Sequence, residues 1–147
     1  MLLASLIFGE AKVVSWREFY LAEVRQLLLQ NPQRVHLIHY LIAKHNYQSY
    51  MEIGICDQGI LNSILAACKV VVDPLTSDDF FASNEKTFDL IFIDGVHGYE
   101  QVLRDVENSL RCLNPNGVIV MRHCLPKRLE HQGEKPILWV WSGVCGK

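Results

Sequence analysis

The sequence predicts an α/β domain built on a doubly wound parallel sheet, with helices on both faces. Three observations carry that expectation. Segments such as 88–94 (Phe-Asp-Leu-Ile-Phe-Ile-Asp) and 69–73 (with Val70, Val71 and Val72) are nearly continuous apolar runs, as expected of strands buried on both faces. Between them lie segments with helical spacing, among them Val102, Leu103, Val106 and Leu110 on one face. Breakers such as Pro74 and Asn114-Pro115-Asn116-Gly117 separate the two kinds of segment.

Residues 1–8 form an apolar run, shorter than the roughly 20 residues a bilayer demands. With no basic segment and no clear cleavage site it is not read as a signal peptide, and it fits a buried strand or a helix start. Ser15 and Glu18 make a capping box. From there Trp16, Phe19, Tyr20, Val24, Leu27 and Leu28 recur helically, until Asn31-Pro32 ends the helix. Val35, Ile38, Leu41 and Ile42 carry a second helix over 33–45. Residues 49–55 read as a buried strand (Tyr50, Met51, Ile53, Ile55) interrupted by Gly54. Gly59 opens a helix expected to reach about Cys68. The strand 69–73 stops at Pro74, a short helix follows over 77–83, and 88–94 is the clearest strand. Residues 99–113 are helical, 114–117 form a turn, and 118–121 make a fourth strand.

The 147 residues are half apolar and 20% charged, with a formal net charge of −2. This is one ordinary globular domain, here divided into an N-terminal helical segment (1–47), a cofactor-binding core (48–126) and a tail (127–147). No basic block exceeds Lys127-Arg128, so neither nucleic acid nor an anionic membrane surface is an expected partner. The five cysteines, Cys56, Cys68, Cys112, Cys124 and Cys145, include no CxxC pair. They are read as reduced cytoplasmic thiols.

Right-handed crossovers would bring the strand carboxyl ends to one edge, where such sheets bind ligands at the reversal of strand order. The first turn at that edge is Glu52-Ile53-Gly54-Ile55-Cys56-Asp57-Gln58-Gly59. A glycine there lets backbone approach a ligand. Gly54 and Gly59 match the outer glycines of a dinucleotide fingerprint, but Cys56 replaces the middle one, and Glu52 would repel a pyrophosphate. A carboxylate suits an ammonium or sulfonium ligand instead. The plain alternative is a tight turn with no ligand. Asp73, 19 residues after Gly54, is placed to accept both ribose hydroxyls, or else to cap a helix. Asp94-Gly95-Val96-His97 follows the third apolar run. Asp94 is a candidate for metal ligation, amino-group contact or orientation of a base, and His97 is a candidate general base or a loop residue. His123, after the fourth strand, completes a two-histidine, one-carboxylate set that would suit a transition metal.

Together these stretches resemble a family. Tyr-Met-Glu-Ile-Gly-Ile (50–55), Val-Val-Asp-Pro (71–74), Thr-Ser-Asp-Asp-Phe-Phe-Ala (76–82), Phe-Asp-Leu-Ile-Phe-Ile-Asp-Gly-Val-His-Gly-Tyr-Glu (88–100) and Leu-Asn-Pro-Asn-Gly-Val-Ile-Val (113–120) are similar to class I S-adenosylmethionine-dependent methyltransferases of bacteria, in the subgroup with an Ile-Asp-Gly-x-His signature. The resemblance implies a Rossmann-like fold and S-adenosylmethionine as cofactor. The cofactor set is then Glu52, Gly54, Asp57 and Gly59 around the methionine part, Asp73 on the ribose, and Asp94 with Gly95 beside them. Asp94, His97 and His123 are the catalytic candidates, and a divalent metal on Asp94 and His123 is the lesser option. The implied reaction is methylation of a hydroxyl on a small molecule or sugar. The helices 16–30 and 33–45 would form a cap or a homodimer surface.

Three features depart from the family pattern. Arg122-His123 stands where His-Asp is usual. Three residues separate Asp73 from Ser77, where another strand is usual. The last helix and two strands that should follow Trp141-Ser142-Gly143-Val144 are expected to be missing. These departures favour a degenerate, non-catalytic binding domain as the alternative. An NAD-dependent oxidoreductase, disfavoured by Cys56 and Glu52, comes third.

Overall fold

A computed structural model describes residues 2–5, 12–30, 33–54, 58–95 and 98–122. The chain forms two compact units: residues 1–47 with 62–65, and residues 48–61 with 66–147.

In the first unit, β1 (Leu2–Ser5) and β2 (Lys12–Ser15) pair antiparallel, so the apolar run at the start of the chain contributes a strand. The helix α1 (Trp16–Gln30) begins at the expected capping box. Ser15 N donates to Glu18 Oε2 at 3.0 Å and Glu18 N donates to Ser15 Oγ at 3.2 Å, so each satisfies a donor the helix leaves open. The helix α2 (Arg34–His45) ends at Asn46, whose φ of 58° is the left-handed cap that stops a helix. Arg17 donates to the carbonyls of Ala43 (2.7 Å) and Lys44 (2.6 Å), fixing α1 against the end of α2. Val24, Ile38, Ile42, Tyr47 and Ile64 form the buried apolar set of this unit.

The second unit holds a four-stranded parallel sheet: β3 (Ser49–Gly54), β4 (Cys68–Val72), β5 (Phe88–Asp94) and β6 (Leu113–Met121), in the order β4-β3-β5-β6. The helices are α3 (Gln58–Ser63), α4 (Ser77–Ser83) and α5 (Tyr99–Arg111). Phe80 and Phe81 of α4 and Val106 of α5 pack on the sheet face of Met51, Ile53, Val72, Phe88, Ile91 and Ile93. On the alternate face Tyr50, Glu52, Leu90 and Phe92 are equally buried. Burial of both faces is why these strands read as unbroken apolar runs. This is the α/β, Rossmann-like arrangement expected. No strand lies between β4 and α4, as the short interval after Asp73 implied, and among the described residues β4 is a sheet edge.

Three boundaries differ from expectation. The helix opened at Gln58 stops at Ser63 rather than near Cys68, because Cys68 is already in the sheet, paired with Ser49 and donating its N–H to Gln48 O at 2.9 Å. The helix begun at Tyr99 ends at Arg111, and Leu113 already pairs with Phe88. The turn residues 114–117 fall inside the span of β6. There the register jumps from Phe88↔Leu113 to Leu90↔Val118, and Asn116 takes a φ of 66°. The turn survives as an excursion between two rungs of one strand.

Candidate active site

From β3 the chain moves outward to β4, then crosses back over β3 to β5 and on to β6. The strand order therefore reverses between β3 and β5, which is where a sheet of this kind opens a crevice at its carboxyl edge. Register fixes what stands there. Gly54 pairs with Asp94. Asp73 follows Val72, the partner of Ile53. Arg122 follows Met121, the partner of Ile93, and donates its N–H to Ile93 O at 3.0 Å. Asp73, Gly54, Asp94 and Arg122 thus form one row across the edge.

Gly54 holds a φ of 151°, and a Cβ there would lie 2.5 Å from the Asp94 carbonyl oxygen. Only glycine permits this conformation and this approach of the two backbones. A Cβ on Gly95 would lie 2.9 Å from Pro74 Cβ, so the turns that follow β4 and β5 touch.

The three carboxylates differ in setting. Glu52 is two residues in from the edge and 1% exposed, and its Oε2 accepts from Tyr50 Oη at 2.7 Å. It is therefore not an open rim contact. Asp73 is exposed. Its Oδ1 accepts from Leu75 N at 2.8 Å in an Asx turn, and Thr76, not Asp73, takes the helix cap position of α4. Asp94 is nearly buried and its Oδ2 accepts from Arg122 Nη1 at 2.8 Å, while the arginine side chain is half exposed. Gly59 lies in the first turn of α3. Asp57, His97 and His123 lie outside the described residues, as do Cys56, Cys124 and Cys145. Cys68 and Cys112 are free thiols, and burial pushes the Cys112 thiol up.

Among the described residues no group of three His, Cys, Asp or Glu side chains gathers as a metal site. Asp94 Oδ2 is engaged by Arg122, and His123, the other residue of the metal option, lies outside the described residues. Nothing in the sequence announces the Asp94–Arg122 pair, since the two residues are 28 positions apart and meet only through the register of β5 and β6. Sequence reasoning missed Asp105, fully buried on α5, whose Oδ1 accepts from Ser77 Oγ and Gln101 Nε2, each at 2.9 Å. Burial pushes that carboxyl up, against the opposing effect of these hydrogen bonds. Helical spacing held the signal: Asp105 shares the inward face of Val102 and Val106.

A doubly wound sheet with a glycine-bounded crevice between acidic strand ends is the architecture of a class I methyltransferase. A family model described as a methyltransferase domain matches residues 25–123, more than half of the chain. The chain belongs to that family. No curated protein and no solved structure matches it. Among the described residues no helix is long and apolar enough to cross a membrane.

Proposed function

We propose that this domain binds S-adenosylmethionine across the carboxyl edge of β4-β3-β5 and methylates a hydroxyl group of a small molecule, a sugar being one option. The observation that carries the reading is the row Asp73–Gly54–Asp94 at the point where strand order reverses. Gly54 lets β3 and β5 close up at the point where the methionine part would sit, with Glu52 buried behind it. Asp73 accepts ribose hydroxyls. Asp57 and Gly59 follow Gly54 in sequence as further candidates for the same ligand, and Gly95 lets the turns after β4 and β5 meet. The residues fit the cofactor: three carboxylates suit a cationic ligand and oppose a pyrophosphate. When bound, the cofactor supplies a methyl group already activated on sulfonium sulfur, so the chain's task is positioning and proton removal. His97 takes the proton of the acceptor hydroxyl, and Asp94, beside it in sequence, orients the base. His123 stands as a second base candidate at the end of β6.

Calorimetric titration with S-adenosylmethionine, S-adenosylhomocysteine and NADH tests this. Binding of the adenosyl ligands alone is expected, while NADH binding would return the oxidoreductase reading. If turnover is measured, Asp94→Ala should abolish it, and wild-type activity in that variant refutes its role. A second reading, a binding domain without turnover, is favoured by the Arg122–Asp94 ion pair, which engages the very carboxylate the chemistry needs. It predicts ligand heat with no methyl transfer to any hydroxyl acceptor.

A further inference from the structure

Asp105 is 0% exposed, yet one of its carboxyl oxygens, Oδ2, has no hydrogen-bond partner. Leaving a buried polar atom unsatisfied is destabilising, and an apolar residue of similar size would avoid that penalty. Such a group calls for an explanation, and its surroundings supply one. Gln101 Nε2 donates to Ser77 Oγ (3.1 Å) and to Asp105 Oδ1 (2.9 Å), and Ser77 Oγ lies 2.9 Å from Asp105 Oδ1. Ser77 opens α4, directly after the turn of Asp73 and Pro74, and its Oγ is 3.4 Å from the Pro74 carbonyl. The unpartnered Oδ2 points the other way. It lies 3.7 Å from where a Gly95 Cβ would stand, a position that is 2.9 Å from Pro74 Cβ and 3.6 Å from Ile53 Cγ2. One buried carboxyl therefore touches the turn after β4 through Ser77 and borders the turn after β5 at Gly95.

We propose that Asp105 is the positioning residue of this edge: it ties the turn of Asp73 and Pro74 to the turn of Asp94 and Gly95, and so sets the spacing of the two walls on either side of Gly54. The proposal rests on reading that crevice as the ligand site. Oδ1 accepts from Ser77 of α4 and Gln101 of α5, while Oδ2 fills the space beside the Gly95 turn. Asparagine keeps both the acceptor and the volume and alanine keeps neither, so the conservative variant separates positioning from a general loss of packing.

Hydrogen-exchange mass spectrometry on the full chain tests it with Asp105→Ala, Asp105→Asn and, as a control, Val106→Ala, which removes core contacts from the same helix. In Asp105→Ala, exchange should rise about tenfold in the peptides carrying residues 73–77 and 94–95 beyond the rise across the rest of the sheet, while Asp105→Asn stays within about twofold of wild type. Val106→Ala should loosen the sheet without singling out those turns. If Val106→Ala matches Asp105→Ala at the turns, or Asp105→Asn exchanges like the alanine variant, the proposal is overturned. Should Asp105→Ala fail to fold, Ser77→Ala removes one of the two donors and should raise exchange at 73–77; unchanged exchange there overturns the proposal equally. The same proteins are then titrated with S-adenosylhomocysteine. Absence of binding by the wild type defeats the ligand reading alone, with exchange still deciding for Asp105. Where the wild type binds, Asp105→Ala should weaken affinity about tenfold, or about 1.4 kcal/mol, with Asp105→Asn and Val106→Ala near wild type; undiminished affinity in Asp105→Ala refutes the positioning role.

Discussion

Adding one methyl group at residue 54 should open the sheet at its carboxyl edge. The new Cβ of Gly54→Ala would meet the Asp94 carbonyl oxygen at 2.5 Å and its carbon at 2.9 Å. Both are backbone atoms of β5, locked in the ladder with β3, so neither can swing aside as a side chain would. Holding alanine at a φ that glycine alone visits costs about 1–3 kcal/mol, and forcing the strands apart costs about 1–3 kcal/mol more. The lower entropy of the unfolded alanine chain returns about 0.4–1 kcal/mol. The net loss is about 3 kcal/mol, a large share of the roughly 5–15 kcal/mol that holds a domain together. Gly95→Ala is the internal comparison. Its Cβ meets Pro74 Cβ at 2.9 Å, a side-chain atom, and its φ is not in the left-handed region. That loss should be about 1 kcal/mol. With a urea slope of about 2 kcal/mol per molar, the unfolding midpoint should fall about 1.5 M for Gly54→Ala and about 0.5 M for Gly95→Ala. A Gly54→Ala midpoint at or above that of Gly95→Ala would falsify the close approach of β3 and β5 on which the crevice depends.

Arg122→Gln should tighten S-adenosylmethionine binding about 3- to 10-fold at low salt by removing a like charge from the edge, with the gain shrinking as salt is added; weaker binding on calorimetry would mean that Arg122 supports the ligand. Asp89 accepts from Gln48 N (2.8 Å), Ser49 N (2.9 Å), Ser49 Oγ (3.0 Å) and Asn114 Nδ2 (2.8 Å) at the amino end of β3 and β5. Burial pushes its carboxyl up, but these bonds outweigh burial and hold it below the usual carboxylate range. Its contribution is therefore present above its unfolded pKa, near 3.8, and is lost as pH falls through the lower folded value. Asp89→Ala should cost about 2–3 kcal/mol at pH 7 by urea denaturation, with the difference from wild type shrinking in acid; a loss that does not vary with pH contradicts the assignment. Burial holds His39 of α2 below the usual imidazole range, with Ser63 and His36 as smaller influences. Its contribution is present above pH 6.5 and is lost as pH falls through the folded value, so His39→Gln should flatten the fall in thermal midpoint between about pH 7 and 5; an unaltered slope would exclude His39.

Local chemistry was legible where one stretch of chain decided it. The strand Phe88–Asp94 was read to the residue because its apolar run is long and both faces are buried. The start of α1 was read from Ser15 and Glu18 because a capping box needs only four residues. The candidate acids Asp73 and Asp94 were found because each directly follows such a run. Their alignment with Gly54 and Arg122 is not legible, since parallel register is set between segments 19 to 40 residues apart. The end of α3 was misplaced for the same reason: nothing near Ser63 announces that Cys68 must already pair with Ser49. Asp105 was passed over because an isolated carboxylate on a helix ordinarily faces solvent. Only the inward position of its neighbours Val102 and Val106 argued otherwise.

The electrostatics of the edge follow from the same row. Glu52, Asp73 and Asp94 place three carboxylates near Gly54, against the single guanidinium of Arg122. Glu52 lies in the sheet interior, where screening by salt is weak, so its influence on a bound cation outlasts that of exposed Asp73. A dinucleotide would bring its pyrophosphate to Gly54 and meet Glu52 behind it. A sulfonium ligand meets the same charge as an attraction. On the proposed reading, the ion pair on Asp94 bears on turnover more than on ligand class, because it engages the carboxylate that would orient the base. Binding of a cationic adenosyl compound and methyl transfer are therefore separate questions, and each needs its own measurement.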